Sequence, residues 1–264
     1  MLKIENTEVV GWEAAIRGMR NPMNSWGKSD SFFCGSPECC FGDDECNPAC
    51  AGYGDGFNIG ESDLNLMTRL RNAGTDHRKF MRMITVYVDI TAPLYWWKEF
   101  DTYKVGTVAN SCSTMHKIAA KEFTFDDFSC EHLERRVSLT LKNVVDDLNY
   151  YRKEYNIASD KLKRTDITES ERKHTLAQQK LYWWQMIQLL PSSYNQRRTV
   201  MLNYEVLANI YKSRRNHKLD EWSVHDTPEE HEFRNKDFSS GMWGFCDWIE
   251  TLPYAELITG KENN

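Results

Sequence analysis

The sequence lacks any apolar run approaching the roughly 20 residues that span a bilayer, and its first residues lack the basic and then apolar pattern of a secretion signal. It also lacks an excess of positive charge: 33 Lys and Arg oppose 39 Asp and Glu, for a net charge of −6. Proteins that bind duplex nucleic acid through a basic surface show the opposite balance. We therefore expect a cytoplasmic protein with no membrane and no duplex nucleic acid as partners, whereas a nucleotide needs only a few well-placed cations.

The chain has no evident internal repeat, and its 264 residues with 41% hydrophobic side chains suffice for one substantial core. We expect one domain over residues 1–264 with a Cys-rich insertion loop at about 34–60. Five of the eight cysteines fall between Cys34 and Cys50. Four of these thiolates can hold a structural zinc ion, namely Cys34, Cys39, Cys46 and Cys50. Because they do not form paired CxxC motifs, a loop carrying free thiols is the alternative interpretation.

The segment from His77 to His116 contains the clearest pattern of the chain. Ile84 to Ile90 is rich in β-branched residues and alternates apolar with other side chains, which predicts a half-buried strand. The aromatic segment Leu94–Phe100 follows directly and predicts a buried helix. Pro93 suits its first turn because no amide donor is needed there.

Other segments predict further elements. Residues 2–10 predict a strand, and Trp12 to Met19 predicts a short amphipathic helix. A helix capped at Ser62 or Asp63 should end at Gly74. Apolar spacing predicts long helices over Cys130–Tyr155 and Ile167–Leu190, with a cap at Thr168 or Ser170 before the second.

A second informative segment runs from Ile187 to Trp222. Leu190-Pro191 is followed, twelve residues after the proline, by Asn203. Leu207, Asn209 and Arg214 come next at helical spacing. Asn203, Leu207 and Arg214 fall on one face of a helix, while Glu205 and Asn209 share another.

These two segments resemble the core of the flavin-dependent thymidylate synthases, the ThyX family. In that family a His precedes a strand ending in Ala-Pro, an Arg-His-Arg triplet follows, and a later helix carries Asn, Leu, Asn and Arg at the offsets seen here. The match covers about a quarter of the chain. It implies an α+β fold in which a mixed or antiparallel sheet is flanked by long helices, assembled as a homotetramer with sites shared between subunits.

The resemblance also implies roles for individual residues. The positions matching flavin contacts are His77, Tyr103, Lys104, Asn203 and Asn209. The positions matching nucleotide contacts are Glu99, Ser111, Ser113 and Arg214. Counting from Lys104 without a gap places Cys112 at the family's Ser, whereas a one-residue gap places Ser113 there. Cys112 and Ser113 are the candidate catalytic residues; a thiol at this point is either a nucleophile toward a pyrimidine ring or an inert buried group.

The chain departs from the family at three places. Thr102-Tyr103-Lys104 replaces the Arg-His-Arg triplet, Ile187 replaces an Arg on the nucleotide phosphate, and Glu205 replaces another Arg. Each lost charge-assisted hydrogen bond is worth about 1.5–3 kcal/mol, and we expect Glu205 to repel a phosphate. Either the ligand therefore binds differently, or it is a different ligand.

The implied activity is transfer of a one-carbon unit from methylenetetrahydrofolate to dUMP or a related pyrimidine nucleotide, with hydride from reduced FAD and with NADPH as reductant of the flavin. Transfer of a hydroxymethyl group is a variant of this reaction. The altered triplet favours an alternative from another class, a non-catalytic nucleotide-binding or structural descendant of the fold. A zinc-stapled interaction protein is a third hypothesis, based on the Cys-rich segment.

Overall fold

The computed structural model describes residues 2–33, 57–223 and 244–260. These residues form two compact units. Unit 1 comprises Thr91–Glu99 and Ser111–Arg197, and unit 2 comprises the described parts of Leu2–Ile90, Phe100–Asn110 and Arg198–Asn264. No helix in these ranges is both long enough and apolar enough to cross a membrane. The proposed zinc ligands Cys34, Cys39, Cys46 and Cys50 lie outside the described residues.

Four strands form one sheet: β1 (Lys3–Val10), β4 (Thr85–Pro93), β5 (Val108–Ser111) and β6 (Asn195–Asn203). Their order across the sheet is β1, β4, β6, β5. The strands are antiparallel, and the predicted α+β class is confirmed. A separate antiparallel pair joins β2 (Phe32–Phe33) to β3 (Phe57–Asn58). The sequence analysis predicted β1 and β4 but assigned no strand to the residues of β5 and β6.

Strand β4 is half-buried, as its alternating sequence predicts. Ile84, Val86, Val88 and Ile90 are at most 1% exposed, whereas Tyr87 between them is 42% exposed. On the opposite face, the Asp89 carboxylate accepts hydrogen bonds from Asn6 Nδ2 (2.8 Å) and Thr199 Oγ1 (2.5 Å). One carboxylate therefore links the side chains of three neighbouring strands.

The helices of unit 2 are α1 (Trp12–Arg20), α2 (Glu61–Asn72), α7 (Tyr204–Arg214), α8 (Phe245–Glu250) and α9 (Glu256–Thr259), with 3-10 turns at Asn21–Met23, Trp26–Lys28 and Arg78–Arg82. The connection from β1 to α1 passes through Gly11 with φ of 96°, and a Cβ there would lie 2.3 Å from the Met83 carbonyl oxygen. Only glycine fits this close approach.

The predicted cap of α2 was wrong. The helix begins at Glu61 after Gly60, without a side-chain cap, so Ser62 and Asp63 lie inside its first turn. Asp63 is fully buried, and its carboxylate accepts a 2.6 Å hydrogen bond from Arg20 Nε. An acidic side chain in a first turn also complements the helix dipole. Asp63 therefore anchors α2 to the end of α1 rather than capping its own helix.

The remaining helices are α3 (Leu94–Phe100), α4 (Thr114–Lys117), α5 (Arg135–Lys163) and α6 (Glu169–Leu189), with a 3-10 turn at Phe125–Asp127. Thr168 caps α6 and forms a capping box with Glu171. Of the two predicted caps, Thr168 and Ser170, the structure therefore uses Thr168. The predicted helix over Cys130–Tyr155 starts later and extends further. A buried apolar cluster forms the core of unit 1, made of Ile118, Ala119, Phe123, Phe128, Leu141, Val145, Leu148 and Met186.

Candidate functional site

Helix α7 organises the predicted cofactor residues of unit 2. Asn203 is its N-cap: the side-chain oxygen accepts a hydrogen bond from Val206 N at 3.1 Å, which satisfies one of the free amide groups of the first turn. The loop before β5 packs here too, because a Cβ on Gly106 would lie 2.8 Å from Asn203 Nδ2. Asn203 therefore has a structural role that is independent of any ligand.

Glu205 lies between two guanidinium groups. It is 8% exposed, and its carboxylate accepts hydrogen bonds from Arg82 and, at 3.4 Å, from Arg78 Nε. Burial alone would raise the pKa of Glu205, but the hydrogen bonds and charges of Arg82 and Arg78 hold that pKa below its usual value. The three side chains together carry one positive charge, so the Glu205 charge that we expected to repel a phosphate is neutralised within this cluster.

Asn209 joins the same cluster from the next turn of α7. Its side-chain oxygen accepts a 3.1 Å hydrogen bond from Arg78 Nη2, and Arg78 thereby links Asn209 to Glu205. Arg78 begins the 3-10 turn Arg78–Arg82, and His77 directly precedes that turn. The His77 side chain is exposed, and its backbone N donates to the Gly74 carbonyl at 3.1 Å. The predicted flavin contacts His77 and Asn209 thus border one basic cluster.

At the other end of α7, Arg214 contacts the loop that carries Thr102-Tyr103-Lys104. Its Nε donates to the Tyr103 hydroxyl at 3.0 Å, and its Nη1 lies 2.8 Å from His217 Nε2. The guanidinium carbon lies 5.2 Å from the ring centre of Trp222 and 5.8 Å from that of Tyr103. These distances are within the range of cation–π attraction. Arg214 is therefore oriented by aromatic neighbours.

A hollow of about 270 Å³ lies beside Tyr103 in unit 2. Its lining residues are Phe100, Asp101, Tyr103, Lys104, Thr107 and Ala109. Lys104 is exposed at this hollow. The Thr107 hydroxyl is buried and has no hydrogen-bond partner among the described residues. A buried hydroxyl without a protein partner is costly, so this one suits a water molecule or a polar ligand group as its partner.

The other predicted residues lie in unit 1. Ser113 is the N-cap of α4 and accepts a 3.3 Å hydrogen bond from His116 N. Cys112 is exposed and reduced, so the alternative of a buried inert thiol is wrong. Ser111 is exposed at the end of β5, and Glu99 is half-buried on α3.

A larger hollow of about 610 Å³ lies within unit 1. It is lined by Thr91, Cys112, Ser113, Thr114, Lys117, Ile118, Ala120, Lys121, Asp126, Asp127, Tyr194, Asn195, Gln196 and Arg197. Its volume is typical of small-molecule sites. We call it the unit 1 hollow. Ser113 and Cys112 are the residues of this hollow that the sequence analysis had selected.

The sequence analysis missed several charged and polar groups. Arg78 and Arg82 belong to a basic segment that precedes β4. The sequence analysis used this segment only to place the strand and assigned no role to its arginines. Thr107, Lys117 and Arg197 carry no local pattern, since they meet their neighbours only in the folded chain. No group of His, Cys, Asp and Glu among the described residues is arranged to hold a metal ion.

No protein-family model matches the chain, and no curated protein matches it in sequence. Its fold is similar to that of thymidylate synthase X (ThyX) from Helicobacter pylori, crystallised with FAD and dUMP. The identity is 13%, the TM-score is 0.52, and the match covers 98% of this chain and 97% of that one. A UMP/dUMP methylase, PolB from Streptomyces cacaoi, bound with 5-Br dUMP, matches at 13% identity and a TM-score of 0.45, over 98% and 95% of the two chains.

Proposed function

We propose that this chain is a flavin-dependent enzyme of the thymidylate synthase type. It transfers a one-carbon unit from methylenetetrahydrofolate to dUMP or a related pyrimidine nucleotide, and NADPH reduces the flavin. We further propose a homotetramer, as the family resemblance implies. The fold shared with a ThyX structure along almost the whole chain supports the proposal, and the residues of unit 2 supply its chemical content.

The observation that carries the proposal is the meeting of the two family-like segments. They are far apart in sequence, yet Arg78 contacts Glu205 and Asn209, Gly106 packs against Asn203, and Tyr103 bonds to Arg214. Of the positions that resemble the family's flavin and nucleotide contacts, Asn203, Asn209 and Arg214 belong to α7 or its cap, and Tyr103 contacts Arg214.

The side chains of unit 2 fit part of a flavin dinucleotide. The hollow beside Tyr103 offers an aromatic wall, the Lys104 ammonium and the Thr107 hydroxyl, which has no hydrogen-bond partner within the described part of the chain. Its 270 Å³ accommodates one ring system or a phosphate group rather than the whole cofactor. The basic cluster around Glu205 offers a second place for an anionic group. This donor set suits a ligand that combines planar rings with phosphates.

In the proposed reaction, the protein side chains bind and orient. Tyr103, Lys104 and Thr107 would hold the flavin, with Arg78 and Arg82 near its negative charges. Arg214, preset by Tyr103 and Trp222, would direct its guanidinium toward a phosphate or a pyrimidine edge. Bound reduced flavin supplies the hydride. Because these arginine side chains are already held in place by their neighbours, less conformational entropy is lost when a ligand binds them.

The first test is the visible absorption spectrum of the purified chain after incubation with FAD and gel filtration. A retained flavin band is expected. The flavin-loaded protein, given methylenetetrahydrofolate, NADPH and dUMP, should then form a product one carbon heavier, measured by mass spectrometry. UMP in place of dUMP tests the related nucleotide.

The matched variants are Arg214→Ala and Lys212→Ala, which remove neighbouring cations from the last turn of α7. Only Arg214→Ala should weaken ligand binding. Asn203→Asp keeps the oxygen that caps α7 and removes the amide donor, so it separates cofactor contact from helix stability. A folded protein that retains no flavin would overturn the proposal and favour the non-catalytic nucleotide-binding alternative.

A further inference from the structure

We propose that His217 is a positioning residue for Arg214, with hydrogen on its Nδ1 so that its Nε2 accepts a hydrogen bond from the guanidinium. The sequence analysis assigned no role to His217. That Arg214 meets a ligand rests on the proposed function, whereas the arrangement of the two side chains does not.

The turn after α7 brings His217 back to the end of the helix. His217 N donates a 2.9 Å hydrogen bond to the Arg214 carbonyl, and both residues are half-buried. The imidazole Nε2 lies 2.8 Å from Arg214 Nη1. On the other side of the ring, Leu219 N lies 3.2 Å from Nδ1. Both ring nitrogens of His217 therefore face hydrogen-bond donors.

A single imidazole cannot satisfy both donors. A neutral ring carries hydrogen on one nitrogen and accepts at the other, and a protonated ring accepts at neither. The Arg214 guanidinium always presents N–H groups, because arginine stays protonated in proteins. The two contacts of His217 therefore exclude each other, and the tautomer decides which of them is a hydrogen bond.

The contact with Arg214 is the stronger of the two. Its donor is charged and its distance is shorter, whereas the contact with Leu219 joins neutral groups at the long end of the usual range. Nε2 is therefore the acceptor, and Nδ1 carries the hydrogen. His217 gives up a local bond within its own turn in order to hold the guanidinium.

Two further contacts hold the same guanidinium. Arg214 Nε donates to the Tyr103 hydroxyl at 3.0 Å, and the guanidinium carbon lies 5.2 Å from the ring centre of Trp222. Trp222 is fully buried, and its backbone N donates to the Leu219 carbonyl at 2.9 Å. The turn that begins at His217 thereby supplies both a hydrogen-bond acceptor and an aromatic face. A side chain held in this way loses little conformational freedom when it binds a ligand.

The first test is nitrogen NMR of the full chain with isotope-labelled histidine. The chemical shift of each ring nitrogen shows whether that atom carries hydrogen, and the signals of His217 are those missing from the spectrum of His217→Gln. We expect hydrogen on Nδ1 and none on Nε2. Hydrogen on Nε2 in the wild-type chain would overturn the inference.

The matched variants His217→Gln and His217→Asn separate the two contacts. The glutamine oxygen reaches the position of Nε2 and can accept from Arg214, whereas the asparagine oxygen reaches only the position of Nδ1 and can accept from Leu219. The Arg214 Nε hydrogen, also followed by NMR, should exchange with water faster in His217→Asn than in the wild type or in His217→Gln. Equal exchange rates in the two variants would contradict a positioning role.

Titration calorimetry with dUMP measures the consequence for binding. His217→Asn should weaken dUMP affinity about three- to tenfold, and His217→Gln should retain it. His174→Asn removes an exposed imidazole of α6 and should change nothing; melting temperatures establish that each variant is folded. Equal dUMP affinities of His217→Asn and His217→Gln would overturn the inference. A folded wild-type chain that binds neither dUMP nor FAD would instead refute the proposed function, and the tautomer and the exchange rates would still decide the role of His217.

Discussion

The hydroxyl of Tyr103 accepts a 3.0 Å hydrogen bond from Nε of Arg214. Tyr103 is the central residue of Thr102-Tyr103-Lys104, and Arg214 ends α7. The contact gives this segment a structural role, because the Tyr103 side chain orients the guanidinium of Arg214.

Tyr103→Phe tests this contact directly. Hydrogen bonds to charged groups contribute about 1.5–3 kcal/mol, so we expect flavin or nucleotide affinity to fall by about tenfold or more in titration calorimetry. Tyr150→Phe removes a hydroxyl from an exposed tyrosine of α5 and serves as the control. Equal affinities in the two variants would show that Arg214 does not depend on Tyr103.

Asp63 should be critical for stability. Its carboxylate accepts 2.6 Å hydrogen bonds from Arg20, Ser29 and Ser31. Asp63→Asn would leave the Arg20 charge buried without its partner, which costs about 3–5 kcal/mol. We expect a clearly lower melting temperature. Asp146→Asn breaks only an exposed pair with Lys142 and should change stability by about 1 kcal/mol or less.

The same carboxylate should make stability depend on acid. Burial alone would raise the pKa of Asp63, but the hydrogen bonds from Ser29, Ser31 and Arg20 and the charge of Arg20 hold that pKa below its usual 3.8. As the pH falls, the Asp63 carboxylate of the unfolded chain is therefore protonated at a higher pH than that of the folded chain. The stabilisation is complete above about pH 4 and is lost as the pH falls through the lower folded-state pKa. Melting curves of wild type and Asp63→Asn should converge on acidification; a constant difference would contradict this account.

Reversing the charge of Glu205 alone should lower stability, whereas exchanging the charges of Glu205 and Arg82 together should largely preserve it. Glu205→Arg restores the residue type of the family, yet it places a third guanidinium against Arg78 and Arg82. We expect it to lower the free energy of unfolding, because the new guanidinium at this buried position would face the little-exposed Arg78 as well as the more exposed Arg82. Adding Arg82→Glu should recover much of the loss. A double-mutant cycle measured by chemical denaturation gives the coupling, and a coupling near zero would exclude the ion pair as its cause.

Thr107→Val should separate binding from stability. The Thr107 hydroxyl is buried without a partner among the described residues, so replacing it with a methyl group should leave the melting temperature unchanged or raise it. Flavin affinity should fall if the hydroxyl contacts the cofactor. Thr175→Val in unit 1 is matched, because its hydroxyl is likewise buried and lacks a partner in the described ranges. A loss of flavin affinity in both variants, or in neither, would exclude a specific role for Thr107.

Some of the elements found from sequence have burial that follows a local period. Burial alternates along strand β4 from Thr85 to Ala92, and α3 and α7 carry apolar residues at helical spacing. Strand β6 was missed because its first half, Asn195 to Arg198, is polar, and alternate burial begins only with Val200 and Leu202. The cap of α2 was misplaced because Asp63 is a good capping residue in isolation, while the folded chain uses it to neutralise Arg20.

The sequence by itself determined where most of the described helices lie and where the strands β1 and β4 lie, because side-chain period and local capping are properties of neighbouring residues. Only the tertiary structure decided which charges meet. Arg78 and Glu205 are 127 residues apart in sequence, yet their side chains are hydrogen-bonded. Charge interactions act over a few ångströms of space irrespective of sequence distance, so the order of the strands decides which cations are available to a ligand.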